Sequence, residues 1–243
     1  MKKALITGAN KSIGFETARQ LLKRGYYIFL GSRDIAKGEQ AVAQLRSEGL
    51  TQVEAIAIDV ADGNSIKKAR QGIKTASLDL LINNAGISGG FPQLPTQVPS
   101  DTIRKVFDTN FFGAIDVIKS FIDLLSKSPA PVIVNVTSGL GSLTLHSDPS
   151  WKYYQIKGGA YGPSKTALNA YTVALAYELR DTPFRVNAID PGYTATDFNQ
   201  HRGTGSVESA AAFVVKYATI PSDGPTGRYF SPDFESNDNE SPW

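Results

Sequence analysis

Seven short apolar runs recur along the 243-residue chain, and segments with helical spacing of apolar residues lie between them. Strands that alternate with helices from end to end are typical of a parallel sheet covered by helices on both faces. The predicted strands are Lys3–Thr7, Tyr26–Gly31, Val53–Asp59, Leu78–Asn83, Val132–Thr137, Phe184–Ile189 and a weaker Gly227–Phe230. The sequence therefore predicts an α/β fold, a doubly wound parallel sheet of about seven strands.

Apolar residues at helical spacing predict helices between strands one and two and after strand three. These stripes consist of Ile13, Ala18, Leu21 and Leu22, and of Ile66, Ala69 and Ile73. Asp34 is placed to cap the helix between strands two and three, and Gly49 to end it. Because no linker or repeat interrupts the pattern, we expect residues 1–243 to form one domain.

Composition excludes several classes of function. The net charge of +2 provides no strong field toward nucleic acid or an anionic membrane. The chain has no cysteine and two histidines, too few ligands for disulfides, thiolate chemistry or a zinc site. The apolar run after Met1 is stopped by Gly8, too early for a signal peptide, and no run reaches the roughly 18 apolar residues of a membrane span. We expect a cytoplasmic protein that acts on small molecules without a metal.

Strand one runs into a glycine-rich turn, Thr7-Gly8-Ala9-Asn10-Lys11-Ser12-Ile13-Gly14, that opens a helix. Glycines let the backbone approach a phosphate, and the free N–H groups of a helix start complement its charge. In a doubly wound sheet, ligands bind outside the carboxyl ends of the strands. The turn is therefore a candidate phosphate site, with a plain strand-to-helix connection as the alternative.

Four further motifs follow in order at strand ends or on a helix. They are Asp59-Val60, Asn83-Asn84-Ala85-Gly86, Tyr161-Gly162-Pro163-Ser164-Lys165 and Pro191-Gly192. Together with the glycine-rich turn, they resemble the short-chain dehydrogenase/reductase family over essentially the whole chain. The resemblance implies a Rossmann-type fold, a nicotinamide cofactor and interconversion of a ketone or aldehyde with an alcohol.

One position departs from the family pattern Thr-Gly-x-x-x-Gly-x-Gly, because Ser12 occupies the middle glycine. A Cβ there strains a backbone that requires a positive φ. The resemblance nevertheless assigns cofactor contacts to residues at several strand ends. These are Gly8, Asn10, Lys11, Ser12, Ile13 and Gly14 in the turn, Asp59 and Val60 near the adenine, Asn84, Ala85 and Gly86 near its ribose, and Pro191, Gly192, Thr194 and Thr196 near the nicotinamide. The Asn83–Gly86 segment is also consistent with an Asx-type turn.

The end of strand two indicates which nicotinamide cofactor is bound. NAD-binding members carry an acidic residue where this chain has Ser32, and Arg33 follows it. A guanidinium fits a 2′-phosphate, and Lys11 offers a second positive charge. We therefore predict NADPH/NADP+, the alternative being that both residues are solvated surface charges.

Tyr161 and Lys165 are spaced to lie on one face of a helix. A nearby ammonium lowers the pKa of a tyrosine, which otherwise is about 10, and makes it a usable general acid/base. The resemblance makes Ser138 the hydroxyl that binds the substrate oxygen, and Asn110 the residue that holds a water linked to Lys165. The prediction is a reversible NADPH-dependent carbonyl reductase, with a non-catalytic NADP(H)-binding protein as the alternative.

The segment between Ser138 and Tyr161 is longer than in the basic form of the family and is similar to that of carbonyl-reductase-type members. We call Leu143–Gly159 the insertion and expect its aromatic residues to line the pocket. A second segment, Asp197–Ser206, is predicted to be a lid, or else a plain loop. The tail Ser231–Trp243 is expected to be irregular, with Trp243 as an anchor. The resemblance also implies a homodimer or homotetramer, the alternative being that the insertion blocks the packing through the helices that carry Asn110 and Tyr161.

Overall fold

A parallel sheet forms the centre of the structure, a computed structural model that describes residues 1–243. Its strands are β1 (Lys3–Ile6), β2 (Tyr27–Ser32), β3 (Val53–Ala57), β4 (Leu80–Asn83), β5 (Val132–Val136), β6 (Arg185–Ile189) and β7 (Tyr229–Phe230). They lie in the order β3-β2-β1-β4-β5-β6-β7, and every neighbouring pair is parallel. The predicted doubly wound α/β fold is confirmed.

Helices connect the strands. They are α1 (Ser12–Lys23), α2 (Ile35–Ser47), α3 (Gly63–Gly72), α4 (Ser100–Phe107), α5 (Gly113–Leu125), α6 (Leu143–His146), α7 (Tyr161–Glu178) and α8 (Val207–Ala218), with a π-helical turn, Asp108–Phe112, between α4 and α5. The Asp34 carboxylate accepts hydrogen bonds from two N–H groups at the start of α2, and Gly49 has a φ of +82° just beyond its end. Both predicted helix signals are confirmed.

The core lies on both faces of the sheet because successive strand residues point in opposite directions. Ala4 and Ile6 pack against α1, α2 and α8, whereas Leu5 packs against α3, α5 and α7. The predicted helical stripes lie in these two layers and are buried, except for Ile13, which is half-buried. None of the helices combines the length and the apolar composition that crossing a membrane requires.

The sheet order reverses at β1, which lies between β2 and β4. The loops that follow these strands leave the same edge of the sheet and diverge to opposite faces, which opens a crevice there. The predicted site residues follow β1 to β6 and are therefore collected at this edge.

The tail is more ordered than the sequence indicates. A 3₁₀ turn covers Pro232–Asn237, and the Trp243 ring lies 5.5 Å from that of Tyr229. The Trp243 carbonyl accepts a hydrogen bond from the Thr144 N–H at 3.0 Å. The tail is thus anchored by Trp243 to the start of the insertion.

Candidate active site

The turn between β1 and α1 presents unused backbone donors. The N–H groups of Ser12, Ile13 and Gly14 have no acceptor within the chain. They lie at the positive end of the α1 dipole, where an anion is stabilised. A Cβ at Gly14 would lie 2.5 Å from the side-chain nitrogen of Asn84, so only glycine fits. The geometry of this turn suits a phosphate group.

Ser12 has a φ of +52°, in the left-handed region that favours glycine. The strain expected at this departure from the family pattern is therefore present. Of its neighbours, Asn10 is half-buried, Lys11 is exposed, and Ile13 packs against the core below α1.

Asn84 supports the glycine-rich turn from the neighbouring strand. Its side-chain nitrogen donates to the carbonyls of Thr7 at 2.9 Å and Gly8 at 3.1 Å. The backbone N–H groups of Asn84 and Ala85 both donate to the Thr7 hydroxyl at 3.0 Å. These are contacts between strand ends, and an Asx-type turn is not formed. Gly86, next along the chain, lies where a Cβ would be 3.7 Å from Lys165 Nζ.

Beyond β3, Asp59 and Val60 line the same edge of the sheet. Asp59 is half-buried, and its carboxylate accepts a hydrogen bond from the Ala61 N–H at 3.0 Å. Val60 is buried where the backbone of Gly113 approaches it. Both residues hold the connection between β3 and α3 in place.

The two residues at the end of β2, Ser32 and Arg33, differ in their exposure to solvent. Ser32 is buried, and its hydroxyl donates to the Asp34 carbonyl at 2.8 Å. Arg33 is exposed and has no carboxylate within ion-pair distance. Lys11, the second predicted phosphate ligand, forms a 2.8 Å ion pair with Asp197. Arg33 is therefore the available cation, and Lys11 is engaged with the predicted lid.

Ser138, Tyr161 and Lys165 come together where β5 ends against the first turns of α7. Ser138 follows β5 and begins a 3₁₀ turn that packs on α7. This close packing requires Gly141, whose Cβ would lie 2.9 Å from the Lys165 backbone. Tyr161 opens α7, and Lys165 Nζ lies 5.8 Å from the centre of its ring. The three predicted side chains thus share one site.

Lys165 is 4% exposed, and its ammonium donates a hydrogen bond to the Val136 carbonyl at 2.8 Å. Burial lowers the pKa of Lys165 to about 8, because the charged form loses its hydration. Near neutral pH, both forms of the amine are accessible. A buried amine of this kind can take up and release a proton.

The pKa of Tyr161 is raised rather than lowered. Burial is the main cause, the negative charge of Asp190 adds to it, and the Ser138 hydroxyl acts in the opposite direction. The expectation that Lys165 lowers this pKa is wrong for the protein groups alone, because the loss of hydration on burial and the charge of Asp190 outweigh the opposing effect of the Ser138 hydroxyl. Tyr161 is therefore held in its protonated form, the form that donates a proton.

Asp190 is a residue that the sequence reasoning missed. It follows β6 and is 6% exposed, and its carboxylate accepts hydrogen bonds from the Gly192 N–H and the Ser231 hydroxyl, both at 3.0 Å. Burial raises its pKa, and no basic side chain pairs with it. The available signal was a carboxylate directly after strand six, at the edge where ligands bind.

Asn110 lies in the π-helical turn and is almost completely buried. Its side chain accepts a hydrogen bond from the Ile87 N–H at 2.8 Å and donates to the Ile87 carbonyl and the Ser164 hydroxyl, both at 3.0 Å. Asn110 therefore joins the loop after β4 to α7. Its water-mediated link to Lys165 stays a prediction.

The turn after β6 continues into the predicted lid. Pro191 precedes Gly192, which has a φ of +80°, and both Thr194 and Thr196 are buried. The lid folds back through a 3.0 Å hydrogen bond from Ala195 N–H to the Gly205 carbonyl. It also brings the Phe198 ring within 5.2 Å of the Tyr161 ring. Phe198 was missed, although it is the one aromatic residue in a polar segment.

The insertion forms a row of aromatic rings beside the site. His146, Trp151 and Tyr153 make edge-to-face contacts at 5.2 and 5.4 Å, and Tyr153 continues the row to Tyr193 at 5.8 Å. The Trp151 ring also approaches Gly139, next to Ser138, so closely that a Cβ at Gly139 would lie 3.1 Å from it. The row therefore borders the turn that carries Ser138.

Comparison with known proteins identifies this arrangement. A family model described as short chain dehydrogenase matches residues 2–206. The chain belongs to the short-chain dehydrogenase family. The predicted family is thereby confirmed, and the protein is a member of an oxidoreductase family.

Relatives and solved structures of this family match over most of their length. The (+)-neomenthol dehydrogenase of Capsicum annuum is 32% identical, over 93% of this chain and 94% of the relative. The structure of salutaridine reductase from Papaver somniferum has a TM-score of 0.83 and 28% identity, over 96% of this chain and 100% of that one. The structure of ElxO with NADP bound has a TM-score of 0.80 and 27% identity, over 95% of this chain and 96% of that one.

Proposed function

We propose that this short-chain dehydrogenase uses NADPH to reduce a ketone or aldehyde to an alcohol, reversibly, with Tyr161 as the general acid/base. The observation that carries the proposal is the meeting of Ser138, Tyr161 and Lys165 at the carboxyl edge of the sheet. A bound reduced nicotinamide supplies the hydride. The protein then has to stabilise the carbonyl oxygen and give it a proton.

The side chains divide this task. The Ser138 hydroxyl binds the carbonyl oxygen, and Tyr161, held protonated by burial and by Asp190, donates the proton. Lys165, whose pKa is about 8, restores the proton to Tyr161 through its buried amine. Asn110 holds the loop after β4 against α7 and, as the family resemblance implies, a water that connects to Lys165.

The residues present fit NADPH. The free N–H groups of the phosphate-binding turn suit the pyrophosphate, and the unpaired Arg33 suits the 2′-phosphate. The similar ElxO structure holds NADP. Further contacts are proposed for Asp59, Val60, Ala85, Gly86, Pro191, Gly192, Thr194 and Thr196. Residues 1–243 act as one domain in this proposal.

The test is a spectrophotometric assay of NADPH and NADH against cyclic and open-chain ketones and aldehydes. Tyr161→Phe should lower turnover by about 10²-fold or more while NADPH binding is unchanged, because the proton donor is lost. Tyr154→Phe is the matched control, since Tyr154 also faces a lysine, with Lys157 Nζ 4.0 Å above its ring, but lies in the insertion.

Retention of more than about a tenth of wild-type turnover by Tyr161→Phe would assign the proton to another residue. Binding of NADPH with no turnover of any carbonyl compound in the assay would favour the non-catalytic alternative.

A further inference from the structure

Gln93, in the loop between β4 and α4, is 2% exposed, whereas a loop glutamine is ordinarily solvated. Both the nitrogen and the oxygen of its side-chain amide form hydrogen bonds within the protein. The side-chain nitrogen donates to the Ser88 and Gly90 carbonyls, the latter at 2.7 Å. The side-chain oxygen therefore faces the Tyr161 N–H and accepts from it at 3.0 Å.

This last hydrogen bond supplies what the start of α7 lacks. Tyr161 is the first residue of the helix, so its N–H has no acceptor within the helix. The preceding Ala160 has no polar side chain with which to cap it. Gln93, 68 positions earlier in the chain, takes the place of the missing capping residue.

The carbonyl of Tyr161 is held from the same loop by another route. It accepts a hydrogen bond from the Ser164 hydroxyl at 2.7 Å, and that hydroxyl accepts one from Asn110 at 3.0 Å. Asn110 in turn binds the backbone of Ile87, six positions before Gln93. Both polar groups of the Tyr161 backbone are thus tied to the loop after β4.

We propose that Gln93 is a positioning residue for carbonyl reduction: its amide fixes the first residue of α7 and thereby places the Tyr161 hydroxyl against Ser138. The inference rests on the proposed function of Tyr161. Gln93 binds backbone groups and acts on the reaction only through that tyrosine. Because a displacement of about 1 Å can lower a rate by about 10²-fold, we expect Gln93→Ala to lower kcat by about 10- to 100-fold. The dissociation constant of NADPH should stay within about twofold.

The experiment measures kcat and KM with NADPH and the ketone that the wild type reduces fastest. Gln93→Ala, Gln93→Glu and the control Gln97→Ala are made in the wild type and in Tyr161→Phe. Gln97 is exposed in the same loop and should tolerate the change. Gln93→Glu keeps an acceptor oxygen for the Tyr161 N–H, and the O–H of its protonated carboxyl can donate to one of the two loop carbonyls, so its kcat should be several-fold above that of Gln93→Ala.

The Tyr161→Phe background separates positioning from general destabilisation. If Gln93 acts through the tyrosine hydroxyl, Gln93→Ala should lower the residual rate of that background by less than about threefold. An equal loss in both backgrounds, an equal loss in Gln97→Ala, or no recovery in Gln93→Glu would overturn the proposal. If Gln93→Ala does not fold, Gln93→Glu replaces it in this comparison. Its smaller decrease in kcat, seen in the wild type, should then be absent in the Tyr161→Phe background. Full activity of Tyr161→Phe itself would instead refute the proposed function.

Discussion

Replacing Ser12 with glycine tests the strain that the glycine-rich turn contains. A non-glycine residue in the left-handed region, where Ser12 lies at a φ of +52°, is destabilised by about 1–2 kcal/mol. Glycine removes that strain but gives the unfolded chain more freedom, which costs about 0.5–1 kcal/mol. Taken at the middle of both ranges, the difference is a gain of about 0.5–1 kcal/mol in the free energy of unfolding. For a protein of this size, it corresponds to a rise in Tm of about 1–4 °C.

Calorimetry of the wild type, Ser12→Gly and Ser12→Ala measures this effect. Ser12→Ala is the matched control, because it removes the hydroxyl but keeps the Cβ and hence the strain. Its free energy of unfolding should lie within about 0.5 kcal/mol of the wild type. Titration with NADPH should give equal or better affinity for Ser12→Gly, since the N–H groups of Ile13 and Gly14 are unchanged.

A fall in the Tm of Ser12→Gly, with Ser12→Ala unchanged, would refute the strain at this position. A loss of NADPH affinity beyond about tenfold in both variants, about 1.4 kcal/mol, would show that the hydroxyl binds the cofactor directly.

Three further predictions concern charge. Lys165→Met should abolish turnover yet raise the free energy of unfolding at pH 7 by up to about 3 kcal/mol, because burial lowers the pKa of Lys165 to about 8. The cost of burying the Lys165 charge is full below pH 8 and disappears as the pH approaches 10.5, the pKa of the lysine in the unfolded chain. The difference in free energy of unfolding between Lys165→Met and the wild type, measured by denaturant titration, must therefore shrink between these two pH values. Asp190→Asn removes a charge that raises the pKa of Tyr161, so the rising limb of the pH profile for alcohol oxidation should move to lower pH; an unmoved limb contradicts this. Arg33→Ala should weaken the binding of NADPH by about 10- to 150-fold and leave that of NADH unchanged. Lys11→Ala should weaken the binding of NADPH by less than about threefold, because Lys11 is already paired with the lid carboxylate of Asp197. Equal losses for both cofactors would contradict the assignment of Arg33 to the 2′-phosphate.

The sequence predicts those parts of the site that depend on local pattern. Strands, the glycine-rich turn and the Tyr161/Lys165 spacing follow from periodicity and from backbone requirements that act within a few residues. Contacts between distant segments could not be predicted in this way. Burial raises the pKa of Tyr161 and the charge of Asp190 adds to it, which reverses the direction expected from the Lys165 spacing. Gln93 resembles any polar loop residue until the fold brings it to the start of α7.

Tyr161 is controlled from three loops, and the order of the strands explains why. The loops follow β4, β5 and β6, which are adjacent in the sheet. The first holds the tyrosine backbone through Gln93, the second brings Ser138 to its hydroxyl, and the third supplies the charge of Asp190. Each loop acts on a different property of one side chain, namely its position, its hydrogen-bond partner and its protonation. Because parallel neighbours end at the same edge, three segments distant in sequence converge on the proposed proton donor. The aromatic row of the insertion and Phe198 of the lid belong to the loops after β5 and β6 but take no part in these three contacts. We expect these aromatic residues to set the shape of the substrate pocket.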